Sequence, residues 1–260
     1  MIERLDESLI ELVKRERPEL FALFFLDDAG TPPGEMVTKS GTTIIAAKYG
    51  EGVIMAGDRR ASSGYLIADS RAEKIHAVDR FTVIGAAGTS KICQGMAKIF
   101  RAELEFYEKI RNREMSFDAK VNRLAYLTSL NLRGLRVGMY AMPIMAGFDN
   151  EKKEGRIFKF DVIGSPTEER KYSSIGSGTI STTGSLPMLY PDEPSEVTKE
   201  ELICRILKAL KQVVATDMGS GIAPEKGIWP SLKIIDKNGV KDVSEEELKV
   251  AWDTLAREGE

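Results

Sequence analysis

The sequence predicts an α+β fold in which β-sheets lie between layers of helix. Three observations carry this expectation. Strand-like and helix-like runs come in separate blocks, in the order strands, two helices, strands, two helices, strands, rather than in βα alternation. The strand runs are rich in apolar and β-branched residues and are bounded by glycine turns. The chain has 260 residues, 42% apolar and 30% charged, which suits one large globular domain carrying an appendage.

The appendage is the first 41 residues. Ile2, Leu5, Leu9, Ile10 and Val13 recur at roughly helical spacing among charges, and Asp27-Asp28-Ala-Gly and Thr31-Pro-Pro-Gly then break any regular element. An N-terminal arm and a removable pro-segment share this composition. From Thr42 the pattern changes. Thr43–Tyr49 is a β-rich run, Gly50-Glu-Gly52 a tight turn and Val53–Asp58 a second strand, so the two form a hairpin. Lys74-Ile-His-Ala-Val reads as a strand, and Phe81–Gly88 as a buried strand ending in small residues. Residues 90–111 place Ile92, Met96, Ile99, Phe100, Leu104 and Tyr107 at helical spacing. Residues 117–139 do the same with Val121, Leu124, Leu127, Leu130 and Leu132, and Asp118 in the first turn suits the helix dipole. Strands follow at Tyr140–Phe148, Gly155–Val162 and Tyr172–Gly176. One helix starts beyond Gly178, and another spans Thr198–Asp217 behind the capping box Thr198-Lys-Glu-Glu201. Trp229–Asp236, an Asn238-Gly239 turn and Val240–Val243 make a last hairpin, and Ser244-Glu-Glu-Glu247 caps a C-terminal helix.

Composition excludes several function classes. With 37 Lys and Arg against 40 Asp and Glu, the net charge is −3, which argues against a broadly cationic nucleic-acid protein. No apolar run approaches the ~20 residues that cross a bilayer, and the mixed-charge N-terminus is not a secretory signal. Two cysteines, Cys93 and Cys204, give neither a disulfide framework nor zinc spacing; both fall in helical patterns, where a small buried hydrophobe is expected. The single histidine, His76, leaves no histidine-rich metal site and no second candidate for a histidine-based hydrolase. Any hydrolytic chemistry is therefore expected to use another base. No phosphate-binding Gly-x-x-x-x-Gly-Lys-Ser/Thr loop occurs, so no cofactor or nucleotide is expected in this chain.

The candidate site begins at Gly41-Thr42-Thr43. A threonine opening a strand is by itself an ordinary strand residue, Asp58 and Lys74 alone would be surface ions, and Gly88 alone a turn. Together, a hydroxyl, an acid, a lysine and a glycine amide are the parts of an acyl-transfer site that does without histidine. Thr42-Thr-Ile-Ile-Ala, Gly52-Val-Ile-Met-Ala-Gly-Asp-Arg-Arg-Ala-Ser62, Lys74-Ile75 and Ala87-Gly88-Thr89 resemble a β subunit of the proteasome core particle. Gly176-Ser-Gly178 and Asp217-Met-Gly-Ser220-Gly221 fit the same pattern. The likeness runs from Thr42 to about Asp236 and is nearest to the actinobacterial proteasomes, pro-segment included.

The resemblance implies a four-layer α-β-β-α sandwich of the N-terminal-nucleophile hydrolase type, with residues 1–41 a propeptide and 42–260 the catalytic domain. It implies a threonine-type endopeptidase. Thr42, freed by self-cleavage after Gly41, would be the nucleophile, with Asp58 and Lys74 paired beneath it. The Gly88 N–H would supply the oxyanion hole, and Ser177, Asp217 and Ser220 would orient the Thr42 amine and hydroxyl. A lysine must be shifted down by burial or nearby positive charge before it can accept a proton; Arg59 and the Thr42 ammonium are the candidate charges. Family positions that line the specificity pocket fall on Ala61, Ala72, His76, Ala86 and Ser90. Three alanines predict a wide, mainly apolar pocket and cleavage after apolar or aromatic residues, with His76 either packing there or adding polarity.

As partners the resemblance implies other β subunits and proteasome α subunits, stacked as two β rings capped by α rings. It also implies an ATPase ring feeding unfolded proteins, in the cytoplasm, with no nucleic acid, membrane or metal. Arg101, Arg111, Arg123, Arg133 and Arg136 suit either ring contacts or a solvated helix face. Rival readings are the two-ring bacterial protease of the same superfamily, a non-catalytic ring subunit and a small-molecule amidase of this fold. The first lacks so long a pro-segment, the second would not retain Thr42, Asp58, Lys74 and Ser177 together, and the third more often uses Cys or Ser.

Overall fold

The computed structural model describes Arg15 and residues 41–63, 66–135, 138–189 and 193–258. The helical pattern expected over residues 2–16 therefore lies outside the described residues, Arg15 apart. The strands are β1 (Thr43–Tyr49), β2 (Gly52–Gly57), β3 (Ala61–Ser63), β4 (Leu66–Asp69), β5 (Ile75–Asp79), β6 (Thr82–Gly88), β7 (Ala141–Asp149), β8 (Glu154–Phe160), β9 (Pro166–Glu169), β10 (Tyr172–Gly176), β11 (Ser231–Asp236) and β12 (Gly239–Asp242). The helices are α1 (Ser90–Arg111), α2 (Phe117–Ser129), α3 (Leu132–Leu135), α4 (Thr179–Leu189), α5 (Lys199–Thr216) and α6 (Glu245–Glu258).

Two five-stranded antiparallel sheets form the centre, in the orders β10-β1-β2-β11-β12 and β5-β6-β7-β8-β9, with β3 and β4 as a separate ribbon. Between the sheets, Ile44, Ala46, Val53, Met55, Val83, Ile144 and Ile157 form one apolar layer. On the outer face of the first sheet, Ile45, Ala47 and Ile54 meet Ile206, Leu207 and Leu210 of α5. On the outer face of the second, Ile84 and Met145 meet Met96 and Phe100 of α1 and Leu124 of α2. Four layers result, α-β-β-α, as the resemblance implied. This stacking explains why β1 and β2 read as unbroken apolar runs: successive side chains alternate between two buried faces.

Most elements fall where the periodicities put them, including both capping boxes, Thr198 with Glu201 and Ser244 with Glu247. The helix expected over 117–139 is a correction. It ends at Ser129, resumes only as α3 and stops before Gly138, which takes the left-handed φ of 77°. Asn131, Gly134 and Gly138 are weak helix formers that outweigh the leucine spacing. Two features have no counterpart in the sequence reading. The β3–β4 ribbon is short, and β9 (Pro166-Thr-Glu-Glu) is a polar edge strand, opened by proline and without an apolar alternation to mark it.

Buried charge fixes the second sheet to its helices. The nearly inaccessible Arg156 guanidinium contacts Asp149 of β7, Glu168 of β9 and Asp118 of α2, and it lies over the Phe117 and Phe158 rings. Asp118, expected to answer the helix dipole, therefore also ties α2 to the sheet. Arg123 donates to the buried Glu103, linking α2 to α1, while Arg101 makes an exposed pair with Glu105. Arg111 is exposed; the Arg133 side chain and Arg136 lie outside the described parts. No helix among the described residues is long and apolar enough to cross a membrane.

Phe100 is completely buried between α1 and the second sheet. Truncation to alanine is expected to lower the unfolding free energy by about 3–5 kcal/mol, read from the denaturant midpoint of the unassembled subunit.

Candidate active site

The β1–β2 hairpin carries the first half of the site. Its register, Ile44 opposite Gly57, brings the start of β1 beside Asp58, one residue past the end of β2. Asp58 is inaccessible to solvent and accepts four hydrogen bonds. Thr43 N–H and Lys74 Nζ donate to its Oδ1 at 2.8 and 2.7 Å, and Arg60 N–H and Gly221 N–H donate to its Oδ2 at 3.0 and 2.8 Å. Lys74 arrives from the residue before β5 and is itself buried. Its ammonium also donates to the Gly41 carbonyl oxygen at 2.7 Å.

The second half comes from the end of β10 and the loop after α5. Gly176 adopts φ 102°, with the Thr42 carbonyl oxygen 1.9 Å from where a Cβ would stand, so only glycine lets β10 pass this close. Ser177 Oγ accepts from Thr42 N–H at 3.2 Å and donates to Asp217 Oδ2 at 2.6 Å. Ser220 Oγ donates to the same Oδ2 at 2.7 Å and lies 2.6 Å from Thr43 Oγ1, and Gly219 N–H donates to Asp217 Oδ1 at 3.0 Å. Gly41 and Gly219 touch backbone to backbone, with no room for a Cβ on either.

Electrostatics follow from this burial. Desolvation pushes the Lys74 pKa down, against the attraction of Asp58 and Asp217, and Arg60 pushes it down further. Desolvation pushes the Asp58 carboxyl up, opposed chiefly by Lys74; its four donors favour the carboxylate. Burial also raises Asp217, but hydrogen bonds from Ser177, Ser220 and the Gly219 N–H outweigh it and hold that carboxyl below its ordinary range. The result is a hydroxyl-bearing residue, a lysine displaced toward neutrality and two ionised acids, a set suited to acyl transfer.

Gly88, at the end of β6, takes φ 136°, and a Cβ there would stand 2.3 Å from the Tyr140 carbonyl oxygen, so the position needs glycine on both counts. It lines a pocket open to solvent together with Thr42 and Lys74. All five residues expected to line a specificity pocket are there: Ala61, Ala72, His76, Ala86 and Ser90. The structure thus brings every predicted site residue into one region, Thr42 with Gly41, Asp58, Lys74, Ser177, Asp217 and Ser220 on one side and the pocket on the other.

Sequence reasoning missed several neighbours. Arg60, not Arg59, is the arginine that bears on Lys74; it donates to the Met218 carbonyl oxygen and packs over Gly221. Arg59 is turned away, donating to Ser231 and the Arg71 carbonyl oxygen and pairing with Glu73. Asp58 and Arg60 lie two apart just past a strand, and that spacing was the available signal. Cys93, Gln94 and Ala97 also line the pocket, at three, four and seven residues beyond Ser90 on α1, the positions that share a helix face. Cys93 and Cys204 are half-buried thiols, and Cys204 Sγ donates to the Ala251 carbonyl oxygen. Burial raises the Cys93 thiol to about 12, so it stays protonated.

Asp58→Asn leaves the Lys74 ammonium buried without its counter-ion and is expected to destabilise the subunit by about 3–5 kcal/mol. The double variant Asp58→Asn/Lys74→Met should recover part of that loss in thermal unfolding, because it removes the stranded charge.

A family model described as proteasome subunit matches residues 38–224, a span that contains both halves of the site. A proteasome subunit beta of Parafrankia sp. is 38% identical over 217 residues, covering 83% of this chain and 78% of that protein. The one from Streptosporangium roseum is 38% identical over 229 residues, 87% of this chain and 79% of its own. The Mycobacterium tuberculosis H37Ra protein of the same name is 35% identical over 246 residues, 92% and 83%.

Proposed function

The chain belongs to the proteasome subunit family as a β subunit of the core particle, and from that premise we propose that it is a threonine-type endopeptidase with Thr42 as nucleophile. Membership implies a protease and assembly with proteasome α subunits. The finer reading rests on one observation: the Gly41–Thr42 peptide unit is gripped from both sides, its carbonyl oxygen by Lys74 and its N–H by Ser177.

In this reading residues 1–41 are a propeptide. Thr42 Oγ attacks the Gly41 carbonyl carbon and the C–N bond breaks. The nitrogen becomes the Thr42 α-amine, and water then hydrolyses the resulting ester. The Lys74 ammonium polarises the carbonyl under attack, and the close approach of Gly41 to Gly219 fixes its position. Once free, the α-amine inherits the contact with Ser177, itself oriented by Asp217.

Peptide hydrolysis repeats the chemistry on substrate. The Thr42 hydroxyl proton passes to a neutral amine, either the new α-amine or Lys74, and Oγ bonds to the substrate carbonyl carbon. The N–H of Gly88, a residue that lines the pocket, stabilises the oxyanion, a contribution of about 3–4 kcal/mol where such a donor has been removed elsewhere. The peptide C–N bond breaks, the leaving amine takes the proton, and water cleaves the acyl-enzyme. Asp58 keeps Lys74 in place and Arg60 keeps it acidic. The site would act on unfolded protein in the cytoplasm, delivered by an ATPase ring.

Intact mass and a fluorogenic peptide assay on particles assembled with the α subunit test this directly. The wild-type chain should start at Thr42 and cleave peptides; Thr42→Ala should keep residues 1–41 and be inert. Loss of the arm from a Thr42→Ala chain in a protease-free preparation would refute self-cleavage.

The base acts in its neutral form, so kcat/KM should fall as pH drops through its pKa. An α-amine starts from about 7.7–8.0, so with that base a rate rising over roughly pH 7–9 is expected; Lys74, the other candidate, is held below its ordinary value by burial. Lys74→Arg keeps the charge but cannot release a proton there. It should cost about 10²-fold or more in rate.

A further inference from the structure

Thr43, which follows Thr42 in the chain, is bonded to both halves of the site. The hairpin fixes its backbone: the N–H donates to Asp58 Oδ1 at 2.8 Å, and the carbonyl oxygen accepts from the Asp58 N–H at 3.1 Å. Its hydroxyl reaches the other half, 2.6 Å from Ser220 Oγ. Thr43 and Ser220 are both inaccessible to solvent. A hydroxyl buried in this way costs free energy unless it is hydrogen-bonded, and valine would suit a strand without that cost. Gly178 makes room for the contact, because a Cβ there would stand 2.1 Å from Thr43 Oγ1.

The direction of the bond follows from counting protons. Ser220 has one hydroxyl proton, and it goes to Asp217 Oδ2 at 2.7 Å. Burial raises the Asp217 pKa, but its hydrogen bonds hold it below the ordinary range, so this group is a carboxylate and can only accept. Ser220 Oγ must then accept from Thr43. The chain of donors runs from Thr43 to Ser220 to Asp217, and a hydroxyl that accepts is itself a stronger donor. The same Oδ2 takes the Ser177 proton at 2.6 Å, which leaves Ser177 Oγ to accept from Thr42 N–H at 3.2 Å. The loop carrying Asp217 and Ser220 has no apolar anchor at Met218, which is largely exposed, so polar bonds such as this one hold it in place.

We propose that Thr43 is a positioning residue: its hydroxyl ties the 217–221 loop to the start of β1, so that Asp217 keeps Ser177 aligned on the Thr42 nitrogen. Thr43 acts through Ser220. Its side chain is buried away from the pocket that would receive substrate, so its loss should slow the chemistry and leave binding unchanged. The inference rests on Thr42 being the nucleophile.

The test uses assembled, processed particles, with sites counted by intact mass, and one fluorogenic peptide. Thr43→Val should lower kcat about 3–10-fold, the worth of one neutral hydrogen bond, with KM unchanged. Thr43→Ala should do the same, which covers the case of a valine methyl too large for a 2.6 Å contact. Thr43→Ser loses the methyl but keeps the hydroxyl and should restore most of the rate. In a Ser220→Ala background neither Thr43→Val nor Thr43→Ala should lower kcat further. Loss of residues 1–41, which uses the same Ser177 contact, should slow in Thr43→Ala and recover in Thr43→Ser, a comparison that needs no processed particle. Wild-type kcat in Thr43→Ala, an equal loss in Thr43→Ser, or a full further loss on top of Ser220→Ala overturns the Thr43 assignment and leaves the protease intact. Wild-type particles that fail to cleave the peptide, matching Thr42→Ala, overturn the nucleophile and the Thr43 inference with it.

Discussion

Everything at the site depends on keeping one carboxylate ionised where water cannot reach it. Asp58 has no exposed surface, and an isolated charge there would be prohibitive. Its four donors come from four places along the chain: Thr43 in β1, Arg60 after β2, Lys74 before β5 and Gly221 in the loop after α5. Satisfying Asp58 therefore means closing the first sheet, the start of the second and the distant loop upon one another. Each of those closures delivers a functional group. Thr43 brings Thr42, Lys74 brings its ammonium, and Gly221 brings Ser220 and Asp217. Removing any one donor leaves the rest facing a costly orphan, so the site forms as a unit.

The same arrangement separates two jobs that a single acid could not do. Asp58 is tied to a cation and to backbone amides and shares its field with Lys74. Asp217 is only half-buried and works through hydroxyls, holding Ser177 and Ser220 with one oxygen and the Gly219 amide with the other. One carboxylate sets charge and the other sets orientation. Arg60 bridges them, its backbone on Asp58 and its guanidinium on the Met218 carbonyl oxygen.

Much of this was legible in the sequence, for identifiable reasons. The β1–β2 hairpin announces itself by apolar runs around Gly50-Glu-Gly52, and α1 by six apolar positions at helical spacing, so element type and order followed. Thr42, Asp58, Lys74 and Gly88 stand at or next to the ends of β1, β2, β5 and β6, where a buried polar group can meet the loops, and the resemblance implied roles for them. What stayed hidden depends on direction rather than spacing. Nothing in Arg59-Arg60 says which guanidinium turns inward; that is decided by the room above Gly221. The break after Ser129 was masked because Leu130 and Leu132 continue the apolar period while Asn131 and Gly134 withdraw helix propensity. Strand β9 was invisible because an edge strand needs hydrogen-bonding partners, not an apolar face.

The pairing of the first hairpin has a cost outside the finished structure. β1 is flanked by β10 and β2 by β11, with Thr43 opposite Gly176 and Gly57 opposite Ser231. A chain made from its N-terminus presents Ile44–Ala47 and Val53–Ala56, both uncharged and apolar, long before either neighbour has been synthesised. During that interval the hairpin has two open edges and two greasy faces, the features that lead nascent chains into intermolecular β-pairing. Folding of this subunit is therefore a race between translation of its last third and aggregation of its first, set by long-range contact order rather than by final stability.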